Sequence, residues 1–225
     1  MNQPAVDFHS DLSPAWEAWY EKKDFFLARK RILCELLGSR DLRGQSWLDA
    51  GCGTGPLSRW LASEKTCRVE AVDASESMLK NAPRCQGVRF TQADVCFLPF
   101  PEDRFEGVLC SSVLEYLDDP SLALREFARV LKNDGLLIFS VPNTGWKLRI
   151  GLYVPYWLSK PLGSRRVNLF LKHSKHRYDT KEIREVLCCC GFSPLKMIPF
   201  GTVGACGVRF RSLGAPLTMV LAKLE

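Results

Sequence analysis

Short apolar runs alternate with amphipathic segments between residues 46 and 142. The apolar runs are nearly continuous, as strands buried on both faces of a sheet are. The predicted strands cover 46–50, 67–73, 88–94, 105–112 and 135–142, and the predicted helices cover 56–64, 75–82 and 120–133. Strands that alternate with helices in this way predict an α/β fold, with a mostly parallel sheet and helices on both faces.

Helical spacing also marks the first part of the chain. Between residues 13 and 38 large apolar side chains recur every three or four positions, with Ser13 and Pro14 as the predicted start and Gly38 as the predicted stop. This pattern predicts one or two helices that lead into the core. The last part of the chain adds one capped helix and two strands, predicted at 179–190, 192–200 and 215–225.

The alternation breaks between residues 143 and 177, where prolines occur among aromatic and basic side chains. The segment is too long for a plain connection, and we interpret it as an insertion or lid. Between residues 143 and 184 there are ten lysines and arginines against two acids, so the net charge of +6 is concentrated here. We treat 1–225 as one domain with a cap at 1–44, a core at 45–142, an insertion at 143–178 and a closing part at 179–225.

The composition fits one globular domain. The 225 residues are 46% hydrophobic, enough for a packed core. No apolar run approaches the roughly 18 to 20 residues of a membrane-spanning helix, and no signal peptide is recognisable, so we expect a cytoplasmic protein. The ten cysteines lack paired CxxC spacing, and we interpret them as free or buried thiols without a metal site.

The stretch DAGCGTG at residues 49–55 places three glycines at alternate positions between a predicted strand and a predicted helix. Such a turn lets the backbone approach a ligand and directs a helix N-terminus toward it. Nicotinamide-binding proteins use G-x-G-x-x-G, whereas Gly51, Gly53 and Gly55 are followed directly by Pro56. A nucleotide-dependent oxidoreductase is therefore the less favoured interpretation.

This motif resembles the cofactor loop of the class I S-adenosylmethionine-dependent methyltransferases, of the ubiquinone and menaquinone biosynthesis type. Three further segments resemble that family in the same order, namely AVDAS at 71–75, SESMLKNA at 75–82 and FTQADVCFLPFPEDRFEGVLCSSVLEYL at 90–117. The resemblance covers residues 45–142, and less fully 176–192. A single Gly135, where many relatives have two glycines, is a departure in a remote turn. The resemblance implies a Rossmann-like, seven-stranded sheet whose last strand is antiparallel.

The resemblance also implies S-adenosyl-L-methionine as the cofactor. Asp73 would accept both ribose hydroxyls, Met78 would face the adenine, and Asp94 would accept from the adenine amino group. Asp49 would contact the cofactor's amino group, or it would only cap the turn. The predicted cofactor-binding residues are Asp49, Gly51, Cys52, Gly53, Gly55, Asp73, Ala74, Met78, Asp94, Val95, Cys110 and Ser111.

The sulfonium of this cofactor makes its methyl group electrophilic, so the protein has mainly to align a nucleophile and exclude water. A general base would help if the acceptor is a phenol or another acidic group. The candidates, none of them favoured over the others, are His173, His176, Tyr178, Glu115 and Tyr116.

Water exclusion involves the first helix. Trp16, Trp19 and Tyr20 lie at i, i+3 and i+4, so they share one helical face. The face is either ordinary core or a cap over the cofactor and the acceptor, where the family often places its N-terminal helix.

The insertion at 143–177 has four interpretations. It is a solvated lid, a surface for a lipophilic acceptor with peripheral membrane contact, a site for an anionic small molecule, or an RNA surface. RNA is disfavoured because the basic residues lie in one short segment and no RNA-binding module is recognisable. Quinone-biosynthesis methyltransferases, which the chain resembles, carry their acceptor-site insertion here.

Two classes of function are weighed against each other. The first is methyl transfer to a small acceptor, with RNA methylation as its variant. The second is a non-catalytic, cofactor-binding regulatory subunit of the same fold. Nothing in the glycine loop is degenerate, which favours the enzyme.

Overall fold

The structure is a computed structural model that describes residues 3–22, 25–143, 174–176, 178–200 and 217–225. The helices in these ranges are α1 (Gln3–Lys22), α2 (Phe25–Leu37), α3 (Pro56–Glu64), α4 (Glu76–Lys80), a 3₁₀ helix (Leu114–Tyr116), α5 (Pro120–Val130) and α6 (Thr180–Cys189). The strands are β1 (Ser46–Ala50), β2 (Arg68–Asp73), β3 (Val88–Gln92), β4 (Phe105–Ser111), β5 (Leu131–Pro142), β6 (Phe192–Phe200) and β7 (Leu217–Leu224).

The seven strands in the described residues form one sheet in the order β3-β2-β1-β4-β5-β7-β6. Strands β1 to β5 pair in parallel, and β7 runs antiparallel to both β5 and β6. This confirms the predicted Rossmann-like, mostly parallel sheet with an antiparallel last strand. The chain adds β2 and β3 on one side of β1 before it adds β4 on the other. The carboxyl ends of β1 and β4 therefore border a topological switch point, where open α/β sheets bind ligands.

Helices cover both faces of the sheet. In β1, Trp47 packs in a hydrophobic cluster with side chains of α2 and α3, whereas Leu48 packs in a second cluster with side chains of α5 and α6. Successive strand residues point to opposite faces, so the two clusters lie on the two sides of the sheet. Burial on both faces explains why the strands are nearly continuous apolar runs.

Helix α6 begins with a capping box. The Asp179 carboxylate accepts the amides of Lys181 and Glu182 at 2.8 and 2.9 Å, and the Asp179 amide donates to the Glu182 carboxylate at 2.7 Å. The buried side chains of Ile183 and Leu187 lie one turn apart on its inner face. The capped helix predicted here is confirmed.

The predicted start of the first helix at Ser13 and Pro14 is wrong. Helix α1 begins at Gln3 and passes through Pro14. Ser13 is buried rather than capping, and its hydroxyl pairs with that of Ser77 in α4 at 2.5 Å. Contact with α4 stabilises the longer helix, although proline removes one backbone donor.

Two other helix ends can be compared with their predictions. The stop at Gly38 is confirmed, because its φ is 58° and its amide donates to the Cys34 carbonyl at 2.9 Å. The prediction that α5 reaches residue 133 is wrong, since α5 ends at Val130. Leu131 is already extended and pairs with Phe105, so sheet pairing begins where helical propensity would continue.

Most of the insertion lies outside the described residues, including 144–173. Its two ends are described. Asn143 and Tyr178 form a parallel bridge, and the Tyr178 amide donates to the Pro142 carbonyl at 3.3 Å. The chain therefore leaves and returns at the carboxyl end of β5.

The nine cysteines in the described ranges are all free thiols. Cys52, Cys67, Cys96, Cys110 and Cys190 are buried. Across the part of the chain that the structure describes, no helix is long and apolar enough to cross a membrane.

Candidate functional site

The glycine loop between β1 and α3 is held by the end of β2. The amides of Gly51 and Cys52 donate to the Val72 carbonyl at 2.7 and 2.9 Å, and the Gly53 amide donates to Oδ2 of Asp73 at 2.8 Å. These bonds fix the loop at the carboxyl edge of the sheet, beside the switch point between β1 and β4.

All three loop glycines have positive φ, at 79°, 57° and 76°. A Cβ on Gly51 would lie 2.2 Å from Cγ2 of Val113, so packing demands glycine there. Among the residues that the structure describes, the nearest atom to a Cβ on Gly53 would be Nε1 of Trp16 at 3.4 Å, and the Met78 sulfur would lie at 4.0 Å. Gly53 is thus the loop position with space around its Cα, where a ligand could approach the backbone.

Asp73 joins the loop to the next helix. Its Oδ1 accepts the Ser75 amide at 2.9 Å, while Oδ2 accepts the Gly53 amide. Burial raises the pKa of Asp73, and the backbone hydrogen bonds oppose that shift. An ionised carboxylate has about four acceptor positions, so both oxygens keep capacity for a ligand hydroxyl. This observation fits the predicted contact with a ribose.

Asp49 lies buried in β1, just before the loop. Its Oδ2 accepts the hydroxyl hydrogen of Ser58 at 2.5 Å. Burial raises the pKa of Asp49 to about 7, the charge of Asp73 adds to the rise, and the Ser58 hydrogen bond opposes it. A buried carboxyl group, Asp49, and a half-buried one, Asp73, therefore flank the loop, an arrangement that suits a ligand carrying positive charge.

The other predicted cofactor residues follow the same edge. Met78 is buried in α4, its amide held by the Ser75 hydroxyl at 3.1 Å. After β3, Oδ1 of Asp94 accepts the Cys96 amide at 2.9 Å, and the Val95 side chain is buried. The predicted cofactor-binding residues lie at the carboxyl ends of strands β1 to β4 or in the segments that follow them, with Met78 in α4. They are Asp49, Gly51, Cys52, Gly53, Gly55, Asp73, Ala74, Met78, Asp94, Val95, Cys110 and Ser111. Their roles toward the cofactor stay predictions.

The sequence analysis missed Arg29. Its side chain is buried in α2, with Nε donating to Oγ of Ser111 at 3.0 Å and a terminal nitrogen donating to Oγ of Ser112 at 2.9 Å. Ser112 has a φ of 59°, a left-handed conformation uncommon for serine. A signal existed, because Arg29 is spaced by four and seven residues from the buried Leu33 and Leu36 and so shares their inward face.

The N-terminal helix lies against the loop side of the site. The hydroxyls of Ser10 and Ser75 pair at 2.7 Å, and the His9 ring meets the Tyr116 ring edge to face at 5.1 Å between centroids. Trp16 stands beside Gly53. These contacts favour the cap interpretation for Trp16, while the side chains of Trp19 and Tyr20 lie outside the described part.

The candidate bases differ in their surroundings, and His173 lies outside the described residues. His176 places Nε2 3.3 Å from the Asp118 carbonyl and stacks on Tyr178 at 6.1 Å. Burial raises the pKa of Tyr178 and of Tyr116 far above neutrality, which makes both phenols poor bases. Burial raises the pKa of Glu115 only to about 8.

Residues 48–139 match the sequence profile of a family described as a methyltransferase domain. The ubiquinone biosynthesis O-methyltransferase of Neisseria meningitidis is 30% identical over 150 residues, which are 61% of this chain and 63% of that protein. The malonyl-[acyl-carrier protein] O-methyltransferase of Halorhodospira halophila is 37% identical over 109 residues, 45% of this chain and 37% of that protein. A solved Thermotoga maritima structure, described as an S-adenosylmethionine-dependent methyltransferase and possible histamine N-methyltransferase, is 21% identical with a TM-score of 0.70, covering 96% of this chain and 98% of that one.

The sheet order, the glycine loop and the acid at the end of β2 define a Rossmann-like nucleotide-binding domain of the methyltransferase type. The methyltransferase-domain match over residues 48–139 and the methyltransferase relatives confirm the resemblance to class I S-adenosylmethionine-dependent methyltransferases that the sequence predicted. The chain spans less than two thirds of the length of both curated relatives.

Proposed function

We propose that this protein transfers a methyl group from S-adenosylmethionine to an oxygen atom of a small acceptor. The observation that carries the proposal is the bond from the Gly53 amide to Asp73, which fixes an open glycine position beside an acceptor-rich carboxylate. The names of two relatives, a ubiquinone biosynthesis O-methyltransferase and a malonyl-[acyl-carrier protein] O-methyltransferase, support oxygen as the methylated atom.

The residues present fit the cofactor. Asp73 would accept the ribose hydroxyls with its remaining lone pairs, and Met78 would provide an apolar surface for the adenine. Asp49 and Asp73 would both be favoured in their ionised forms by a cationic ligand. When bound, the cofactor supplies an electrophilic methyl group, so the protein's part is to align the acceptor and exclude water.

Helix α1 would exclude water from this site. It crosses α4 through the Ser10–Ser75 and Ser13–Ser77 hydroxyl pairs and brings Trp16 to Gly53. A helix attached by a few polar contacts can open for ligand exchange and close for reaction.

We further propose that the insertion at 143–177 binds the acceptor and adds peripheral membrane contact when the acceptor is lipophilic. The attachment of its ends supports this, because the Tyr178 amide bonds to Pro142 and the Lys175 amide bonds to the Glu115 carbonyl at 2.7 Å. Both ends therefore adjoin the carboxyl edge of the sheet, and the basic and aromatic composition suits an anionic lipid surface.

Vesicle cosedimentation tests the membrane proposal. We expect the protein to pellet with anionic vesicles more than with neutral ones, and the Arg165→Glu/Arg166→Glu variant to lose that difference. The matched control reverses Arg68 and Arg89, which lie near the amino ends of β2 and β3 on the opposite edge. Equal recovery in the supernatant with both lipids would leave a lid over a water-soluble acceptor.

Calorimetry and labelled methyl transfer test the main proposal. The protein should bind S-adenosylhomocysteine and transfer label from methyl-labelled S-adenosylmethionine to a member of a panel of phenols and carboxylic acids. Binding without transfer to any of them, under conditions where a homologous O-methyltransferase is active, would favour the regulatory subunit instead. No binding at all would reject both.

A further inference from the structure

Glu115 is a buried carboxyl group on the 3₁₀ helix that follows β4. Its exposed fraction is 3%, and within the part of the chain that the structure describes its Oε2 has no hydrogen-bond partner. A buried polar atom without a partner has lost its hydration with no hydrogen bond in exchange, which is destabilising. A ligand that donates a hydrogen bond to this oxygen would satisfy it.

The buried Arg29 carries a positive charge that acts on Glu115. Its guanidinium is held by Ser111 and Ser112 at the end of β4, the same turn that leads into the 3₁₀ helix, and its charge stabilises the Glu115 carboxylate. Arg29 comes from the N-terminal cap and Glu115 from the core. The electrostatic interaction between them thus links the cap to the segment that follows β4.

The Glu115 backbone is attached to the returning end of the insertion. Its carbonyl accepts the amides of Lys175 and His176 at 2.7 and 3.2 Å. The residue therefore lies where the cap, the end of β4 and the proposed acceptor-binding insertion converge. Glu115 therefore lies beside the described end of the insertion, at the edge of the sheet where the acceptor site is proposed.

Two buried carboxyl groups whose charges act on Cys110 have raised pKa values, Asp49 at about 7 and Glu115 at about 8, so Glu115 is the one that changes charge near pH 8. Burial raises the pKa of Cys110, Tyr116 and Tyr178, and these groups stay neutral near pH 8. Burial also raises the pKa of Glu115, to about 8, and Arg29 opposes the rise. A carboxylate of that basicity is well matched to a weakly acidic hydroxyl group.

We propose that Glu115 takes the proton of an acceptor hydroxyl, and that the acceptor is therefore a phenol and not a carboxylic acid. The inference rests on the proposed function. The hydroxyl proton passes to Oε2 of Glu115 as the acceptor oxygen bonds to the methyl carbon. The sulfur–carbon bond breaks, its electron pair stays on sulfur, and Glu115 later releases the proton to solvent. An ionised carboxylic acid needs no base, and its charge would repel Glu115.

Arg29 is a positioning residue in this proposal, because it acts through the Glu115 carboxylate. Replacing Arg29 with Met should shift the apparent pKa of the base upward in the pH profile of kcat/KM. A purely structural role would change stability without moving that profile.

Proton uptake gives a readout apart from turnover. The probe is 4-nitrocatechol, added with S-adenosylhomocysteine at pH 9, where the free probe is an anion and Glu115 is mostly ionised. Calorimetry in buffers of different ionisation enthalpy counts the protons taken up. The wild-type protein should take up about one proton as Glu115 becomes protonated beside the bound anion, and Glu115→Gln should take up about none. Glu115→Asp, which keeps a carboxyl group, should restore part of the uptake.

The matched control is Asp118→Asn, three residues further along. Asp118 pairs with Lys175, whose hydrogen bond lowers the carboxyl pKa, so it is ionised throughout and should not change the proton count. Failure of the wild-type protein to bind the probe, or equal uptake in wild type and Glu115→Gln, would overturn the inference.

Turnover provides the second arm. With catechol as acceptor, Glu115→Gln should lower kcat roughly 100- to 10,000-fold with little change in KM. Methylation of hexanoate but not of catechol, or unchanged kcat in Glu115→Gln, would reject Glu115 while leaving the proposed function intact. Loss of S-adenosylhomocysteine binding in the wild-type protein would reject the proposed function itself.

Discussion

The amide of Gly53 donates a hydrogen bond of 2.8 Å to Oδ2 of Asp73, which joins the loop after β1 to the end of the neighbouring parallel strand β2. The other carboxylate oxygen accepts the amide of Ser75, the residue that caps α4. One side chain therefore sets the position of the glycine loop and the start of the next helix. Its loss should affect a bound ligand directly and also through the loop.

We expect Asp73→Ala to weaken S-adenosylhomocysteine binding by about 1.5 to 3 kcal/mol, because hydrogen bonds to a charged acceptor are lost. Asp73→Asn should give an intermediate loss, since one acceptor oxygen remains. Titration calorimetry measures both, and circular dichroism checks folding. Asp41→Ala is the control, because Asp41 is an exposed partner of Arg43. An unchanged Kd in a folded Asp73→Ala protein would contradict the assignment.

Gly51 and Gly53 should respond differently to alanine. Gly51→Ala should cost about 2 to 4 kcal/mol of stability, because left-handed strain adds to a contact of 2.2 Å with Val113. Gly53→Ala should cost only about 1 kcal/mol from its backbone conformation. Urea denaturation measures the stability, and calorimetry should show that Gly53→Ala loses cofactor affinity out of proportion to its stability.

A double variant separates packing from backbone strain at Gly51. Val113→Ala removes the methyl group that the new Cβ would strike, so Gly51→Ala should be less destabilising in that background. The two substitutions should therefore be coupled by roughly 1 to 3 kcal/mol in a double-mutant cycle. Strict additivity would mean that the contact with Val113 has no part in the cost.

The sheet and the loop could be predicted because local sequence determines them. Strands covered on both faces must be apolar throughout, and alternate glycines at Gly51, Gly53 and Gly55 match alternate positive φ angles. The role of Asp73 could be predicted from its position at the end of the second strand. Its bond to Gly53 could not, because it depends on how the two turns meet in space.

Other features depend on contacts between distant parts of the chain. Ser13 looked like a helix cap but pairs with Ser77, 64 positions further along. Arg29 looked like one basic residue among several until Ser111 and Ser112 were seen to bind it. Five residues were equal candidates for the base; His173 lies outside the described residues, and among the other four only Glu115 is buried. Burial of an individual polar side chain is a tertiary property that a periodic pattern does not reveal.

Asp49 should make stability depend on pH. Its pKa is about 7 in the folded protein, raised chiefly by burial, against 3.8 as the ordinary value. The folded state therefore binds the proton more tightly, and this stabilisation is complete below about pH 4 and is lost as the pH rises to 7. From pH 5 to pH 8, the free energy of unfolding of the wild type should fall by on the order of 3 kcal/mol relative to that of Asp49→Asn. Urea denaturation at both pH values measures the difference.

Two comparisons check the origin of that dependence. Ser58→Ala removes the hydrogen bond that opposes the rise, so the loss of stability should end at a higher pH. Burial also raises the pKa of Glu115, to about 8, so its contribution to stability is likewise lost as the pH rises to about 8. The stability of Asp49→Asn should therefore still fall with pH, but less steeply than that of the wild type. A slope that is the same in wild type and Asp49→Asn would show that Asp49 is ionised throughout.

Helix α1 should control how fast the cofactor leaves. Two hydroxyl pairs, Ser10 with Ser75 at 2.7 Å and Ser13 with Ser77 at 2.5 Å, join α1 to α4, and a neutral hydrogen bond contributes about 1 kcal/mol. In Ser10→Ala/Ser13→Ala the cap should open more often, so the loss of about 2 kcal/mol should accelerate release of S-adenosylhomocysteine roughly 30-fold. Stopped-flow tryptophan fluorescence can follow release, because Trp16 lies beside Gly53.

The source of the fluorescence signal and the role of α1 in release can be tested separately. Trp16→Phe should reduce the fluorescence change on ligand release, whereas the serine variant should keep its amplitude and change only its rate. Ser63→Ala is the matched control, because its hydroxyl bonds only within α3, to the Arg59 carbonyl at 2.8 Å. If release is equally fast in wild type, the control and the serine variant, α1 does not limit exchange.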